Sequence, residues 1–317
     1  MTYKNKLICL LSLIGVLVLS YIGSFIFDYN WDNARSATFV WLDSKIAQNT
    51  SKIVIKSFGQ EFEIEKINSQ WYITFENNVY PARQSRIDDF LRIFTTRSQW
   101  PLRASSVSSH ENFGLDQSAC RVTIYGEHSV ILDLLIGDDD FMGKESYFRK
   151  AGHNEVRSGD SSIRAYLTGA VTSWYNLRLI PESDGGFADL SNVQRLTVYG
   201  GAAPDEVQRF TRNNRRWDVS GISVQSPDLS NIESYIDFVL NAEGEDFIDP
   251  ASAAEISFDY ARIVVEFGNG TVITIRISDY DEVHKRYARV SNSTYTYVIP
   301  LWASLRLLRN ADFFETE

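Results

Sequence analysis

Residues 262–277 read RIVVEFGNGTVITIRI. Apolar and polar side chains alternate on either side of Asn269-Gly270. A period of two marks a strand with one buried face, and Asn-Gly supplies the positive φ values of a tight hairpin turn. The stretch predicts two antiparallel strands, Arg262–Phe267 and Val272–Ile277.

An earlier stretch has the same form. Arg121-Val122-Thr123-Ile124-Tyr125 turns through Gly126 and Glu127 into Val130–Ile136. Each hairpin leads to one more strand, Tyr147-Phe148-Arg149 or Tyr287-Ala288-Arg289. A short closing helix follows, around Ile163–Leu167 and Leu301–Leu308. Ahead of each hairpin lies a longer helix. Ile87, Phe90, Leu91 and Phe94 recur at i, i+3, i+4 and i+7, as do Ile232, Tyr235, Ile236 and Val239, which draws one apolar stripe per helix. Gln84-Ser85 and Ser226-Pro227-Asp228 supply capping residues at their starts.

Three β-rich runs precede each helix. In the first half they are Lys52–Lys56, Glu61–Glu65 and Gln70–Thr74. In the second they are Arg195–Tyr199, Val207–Phe210 and Arg216–Val219, with Trp71 and Trp217 at matching places in the third run. One order of elements thus recurs at a displacement of about 140–146 residues, the signature of an internal duplication. The expected fold class is α+β: two duplicated modules, each an antiparallel sheet with one long packed helix. The expected division is 1–30 cytoplasmic tip and transmembrane anchor, 31–50 helical stalk, 51–180 first module, 181–191 linker and 192–317 second module. The linker reads PESDGGFADLS, a composition of turns and flexible chain.

The N-terminus predicts a membrane span. Leu7 to Phe27 (LICLLSLIGVLVLSYIGSFIF) carries no charge. At ~1.5 Å per residue it would reach across the ~30 Å hydrocarbon layer. Lys4 and Lys6 precede it and no basic residue follows before Arg35, so the N-terminus is expected in the cytoplasm. Tyr21, Phe25, Phe27, Tyr29 and Trp31 suggest an aromatic belt at the outer interface. Tyr21 before Gly23, and Ile22 before Ser24, break the small-residue rule for signal cleavage, which favours an uncleaved signal-anchor. Cys9 after Ile8 does not fit lipoprotein processing. The expectation is a single-pass protein of the inner (cytoplasmic) membrane, with its ectodomain periplasmic or outside the cell.

Composition limits the partners. A chain of 317 residues exceeds one typical domain. The net charge of −10 repels phosphate backbones, so no nucleic-acid partner is expected. Cys9 and Cys120 are the only cysteines, one in the apolar leader and one opening a strand. No disulfide is expected, and Cys120 reads as a small buried apolar residue.

Several landmarks occur in a fixed order: Trp71-Tyr72-Ile73 in a meander, Tyr80-Pro81-Ala82 before a helix, Phe113-Gly114-Leu115-Asp116 before a strand, Ile136-Gly137 ending the next, Tyr147 in the one after, and Trp174 beyond the closing helix. In this the chain resembles the bacterial family catalogued as domain of unknown function 4340, most clearly over residues 40–180. The resemblance implies an anchored envelope protein that accompanies ABC-type transporters of the gliding-motility kind as an auxiliary, non-ATPase component. It carries no catalytic residues over to positions here.

Candidate chemistry is sparse. Asp138-Asp139-Asp140 ends a strand. Consecutive acids point apart, which favours a solvated turn, and oxygen ligation of Ca²⁺ or Mg²⁺ is the alternative. His110, His128, His153 and His284 form no HxxxH or HxH pair, so zinc is not expected. Gly200-Gly201 lacks the Lys and Ser/Thr of a phosphate cradle, and no nucleophile elbow, Walker loop or dinucleotide fingerprint is present. Arg212-Asn213-Asn214-Arg215-Arg216 reads as a hairpin turn, or as a docking patch for an acidic partner. Catalytic, cofactor-binding and metal residues are all expected to be none.

The combined expectation is a membrane-anchored extracytoplasmic accessory (non-ATPase) component of an ABC-type transport or motility-related envelope complex. It would not be an enzyme and would act by protein or substrate binding. The alternative is an envelope hydrolase or glycan-binding enzyme using a carboxylate pair, Asp138/Asp140 or Glu243/Glu245. A third reading is a purely structural stalk.

Overall fold

Alternating apolar residues set one buried face along many of the strands. Ile53 and Ile55, Phe62 and Ile64, Trp71 and Ile73 and, in the second half, Ile263 and Val265 are all buried, while their neighbours in sequence are more exposed. The computed structural model describes residues 12–23, 38–57, 59–117, 119–181, 189–201, 206–214 and 216–316. The chain divides into two units, Met1–Trp174 and Tyr175–Glu317. That division falls ahead of the expected linker, whose residues 182–188 lie outside the described residues.

Unit 1 contains helix α1 (12–23), strand β1 (Thr38–Phe39), α2 (Ser44–Ala47), β2 (Lys52–Ser57), β3 (Gln60–Ile67), β4 (Gln70–Phe75), β5 (Asn78–Pro81) and α3 (Gln84–Thr95). It continues with β6 (Ser98–Gln99), β7 (Leu102–Ala104), β8 (Cys120–Tyr125), β9 (Val130–Asp139), β10 (Glu145–Lys150), β11 (Val156–Asp160) and α4 (Ser162–Thr168). Its main sheet runs β5-β4-β3-β2-β8-β9-β10-β11-β7, and β1 pairs only with β6. Unit 2 contains β12 (Val193–Gly200), β13 (Val207–Asn213), β14 (Arg216–Ser220), α5 (Leu229–Asn241), β15 (Asp246–Ile248), α6 (Pro250–Ala253), β16 (Ala261–Phe267), β17 (Val272–Ile277), β18 (Arg286–Val290), β19 (Thr296–Ile299) and α7 (Leu301–Leu307). Its sheet runs β14-β13-β12-β16-β17-β18-β19-β15. Apart from the extra edge strand β5, the two large sheets have the same strand order. Both end on a strand from the segment that follows the long helix.

The cores also correspond. In unit 1 the Trp174 ring lies 6.1 Å from Phe62 and 5.2 Å from Phe90. In unit 2 the Phe314 ring lies 4.8 Å from Phe210 and 5.2 Å from Tyr235. Each group joins the second meander strand, the long helix and a terminal 3₁₀ turn. Edge-on aromatic pairs add about 0.5–1.5 kcal/mol to the gain from burial. Tyr235 keeps its buried hydroxyl satisfied by donating to the Leu307 carbonyl at 2.8 Å, and burial pushes its phenol pKa up.

Two expectations are corrected. The class is mostly β rather than α+β: nineteen described strands form three sheets. The physical reason lies at the sheet margins. Short segments without an alternating pattern, such as Leu102–Ala104, Asp246–Ile248 and Thr296–Ile299, are recruited because a neighbouring strand offers unpaired N–H and C=O groups. The transmembrane anchor is the second. Among the described residues no helix is long and apolar enough to cross a membrane. Of Leu7–Phe27, residues 12–23 are described, and they are helical. The rest of Leu7–Phe27, with Cys9, Phe25 and Phe27, lies outside the described residues. The single-pass placement in the inner membrane, the signal-anchor reading, the periplasmic ectodomain and the membrane as a partner therefore lose the span on which they rested. Among the described residues of the expected helical stalk, Ser44–Ala47 is helical and Thr38–Phe39 is a strand.

Candidate functional site

The aspartates that end β9 do three separate jobs. Asp138 lies 3.5 Å from Nη1 of Arg164, beside Gly114. Asp139 accepts from the Ser146 hydroxyl and lies 3.7 Å from Nε of Arg164. Asp140 turns the other way. Its Oδ1 accepts the backbone N–H groups of Lys144 at 2.7 Å and Glu145 at 3.0 Å. Those N–H bonds, Glu145 foremost, hold the Asp140 carboxyl below the usual range. Among the described residues no group of three or more His, Cys, Asp or Glu is placed to hold a metal ion.

The Asp140 turn occurs twice. Asp140 N–H donates to the Glu145 carbonyl at 2.7 Å, and Gly143 N–H donates back to the Asp140 carbonyl at 2.9 Å. In unit 2, Asp281 N–H donates to the Lys285 carbonyl at 2.9 Å, and His284 N–H donates to the Asp281 carbonyl at 3.1 Å. Asp281 Oδ1 accepts from Lys285 N–H at 2.7 Å and Val283 N–H at 3.0 Å. Gly143 and His284 both adopt left-handed backbone, at φ 65° and 61°. Desolvation opposes ionisation of Asp281, but the Tyr287 hydroxyl and the backbone N–H groups outweigh it, and its carboxyl is held low. The same bond pushes Tyr287 up to about 12. The Asp140 turn is thus architecture shared by both units, whereas Asp138 and Asp139 lie beside Arg164.

The remaining candidates are dispersed. His110 Nε2 lies 3.0 Å from the Asn154 carbonyl, His128 is exposed in the β8–β9 hairpin, and His284 closes the turn just described. Glu245 pairs with Lys285 at 3.3 Å, whereas Glu243 forms an isolated backbone bridge with Arg178. Arg212 donates to the Leu190 carbonyl at 2.9 Å and lies 5.9 Å from the Trp217 ring, which makes it a brace. Arg215 lies outside the described residues. Cys120 is buried, with its sulfur 3.3 Å from the Ser57 hydroxyl. Gly200 and Gly201 take positive φ where the chain crosses Tyr260.

Sequence reasoning missed the outer face of α7. Leu301, Trp302 and Leu305 are 51%, 57% and 56% exposed, beside Phe238, whose ring lies 6.1 Å from Trp302. Buried Ile163 and Leu167 on α4 match buried Ala303 and Leu307 on α7, which places the outward positions in correspondence. There the first unit carries Ser161, the residue capping α4, with Ser162 and Ala165 on the helix. The fold accepts a polar or small surface at this place, so the apolar face of α7 is not imposed by packing. Only a comparison of the two closing helices in register could have found it.

The chain matches no family model, no curated protein and no solved structure.

Proposed function

We propose that this chain is a non-enzymatic accessory component of an ABC-type transport or motility-related complex, acting by protein binding. The transport setting rests on the ordered motif resemblance. The exposed α7 face carries the binding part. Three large apolar side chains within two helical turns cost free energy in water and return it only when covered. Arg306 and Arg309 flank them, each 4.4 Å from a ring, Phe238 and Phe313 respectively. The partner surface that fits is apolar with an acidic rim.

Cross-linking affinity capture with the full chain tests the reading. Wild type is expected to recover the ATPase and permease subunits of one transporter. Trp302→Glu is expected to lose them while keeping its melting temperature, and Ser162→Glu on α4 is expected to retain them. Recovery of the chain alone, or equal capture by Trp302→Glu, overturns the proposal.

A further inference from the structure

Unit 1 holds a cleft that neither the turns nor the α7 face accounts for. Phe39, Val40 and Trp41 form one wall, and Lys150, His153, Glu155 and Arg157 of the β10–β11 hairpin form the other, around about 270 Å³. That is near the lower end of small-molecule sites, roughly 300–1,000 Å³.

The aromatic wall is fixed before any ligand arrives. Trp41 N–H donates to the Phe94 carbonyl at 3.0 Å, and the indole packs 5.0 Å from Phe39 and 5.4 Å from Trp100. The indole Nε1 of Trp41 has no hydrogen-bond partner among the described residues. Arg157 is equally fixed. It donates to the Trp100 carbonyl and to Glu155, both at 2.8 Å, and its guanidinium lies 5.1 Å from the Phe39 ring centroid. Glu155 is neutralised by that pair. The ammonium of Lys150 makes no ion pair among the described residues, so among them the cleft keeps one positive charge without an opposing carboxylate, on a chain of net −10.

The second unit serves as an internal control. The β10–β11 and β18–β19 hairpins share one register, with Phe148 opposite Arg157 and Ala288 opposite Tyr297. The places of Lys150, His153, Glu155 and Arg157 are taken there by Val290, Ser293, Tyr295 and Tyr297. The charged set is therefore not a requirement of the hairpin.

We infer that this cleft binds a small carboxylate with a flat apolar body. The ring would lie on the Phe39–Trp41 wall and the carboxylate would face Lys150. An unpaired cation beside a preorganised aromatic wall favours an anion, because charge-assisted hydrogen bonds strengthen away from bulk water.

The test is a titration of the ¹⁵N-labelled full chain, followed at the Trp41 indole N–H and assigned with Trp41→Phe. Benzoate is expected to shift that resonance saturably. Benzamide should bind roughly tenfold more weakly, acetate should bind as weakly as benzamide or more so, and benzylammonium should leave the resonance unmoved. Lys150→Met, an exposed change that spares the fold, should weaken benzoate roughly tenfold and leave benzamide unaltered. Benzylammonium or acetate binding as tightly as benzoate, a benzoate shift that never saturates, or benzoate affinity unchanged in Lys150→Met would each overturn the assignment.

Discussion

Trp174 and Phe314 close their units in the same way. Each ring is fully buried, and each carbonyl accepts the N–H of the residue capping the long helix, Arg83 at 2.8 Å and Asp228 at 2.9 Å. One residue therefore ties the terminal turn to the helix start and fills the core between them. Truncating Trp174 to Ala should cost its unit about 3–5 kcal/mol, and Phe314→Ala should act similarly on the other. Urea denaturation measures this, and a loss below ~1 kcal/mol would show the core to be organised elsewhere.

The two caps differ in strength. Asp228 accepts the N–H groups of Ser230 at 2.8 Å and Asn231 at 3.2 Å, whereas Arg83 makes no side-chain cap bond to α3. Asp228→Ala should destabilise unit 2 by about 1 kcal/mol. Asp228→Asn, which keeps the accepting oxygen, should recover most of that loss.

The paired turns permit a reciprocal exchange. Gly143→Ala should destabilise by about 1 kcal/mol, because an L side chain resists left-handed backbone, and His284→Gly should stabilise by a similar amount. Melting temperatures moving in opposite directions would verify it. Shifts of the same sign would contradict it.

Gly137 is required for contact rather than conformation. A Cβ there would stand 2.0 Å from the Phe113 carbonyl oxygen and 2.9 Å from the Leu115 side chain. Gly137→Ala should therefore cost about 1–3 kcal/mol or displace the 111–115 loop, which amide exchange of that loop would register. This contact gives a physical reason for the Phe113-Gly114-Leu115 and Ile136-Gly137 landmarks to occur together.

Acid should weaken the fold through Asp133. Side-chain hydrogen bonds from Arg121, at 2.9 and 2.6 Å, hold its carboxyl below the usual range. Depression in the folded state means the contribution is complete above the unfolded value, ~3.9, and is lost as pH falls through the lower folded value. Asp246 has the opposite sign. Burial raises it, so its ionisation opposes folding as pH rises. Melting curves from pH 3 to 7 should fall less steeply toward acid in Asp133→Asn. Asp246→Asn should gain most near neutrality.

Much of the strand pattern was legible because it is local. The Arg121–Tyr125 and Val130–Ile136 strands and the Ile87/Phe90/Phe94 stripe appear where the alternation and the helical spacing place them. Turn detail was less legible. At Asn269-Gly270 the pairing stops at Glu266 and Val272, and only Gly270 is left-handed, while the Asn269 side chain accepts the Thr271 N–H at 2.9 Å. Two other hairpin turns, Asn68-Ser69 and Glu76-Asn77, take two consecutive left-handed residues and carry no glycine. Strand pairing imposed that geometry against local preference.

By itself the sequence determined which segments alternate, which helices carry an apolar stripe, and that one order of elements occurs twice. These properties depend on neighbours a few residues away. The tertiary structure alone decided the mostly-β class, the short edge strands, the separate duties of Asp138, Asp139 and Asp140, the bare face of α7 and the Trp41–Lys150 cleft. Each of these depends on groups far apart in the chain being brought within a few ångströms, and no local spacing encodes that.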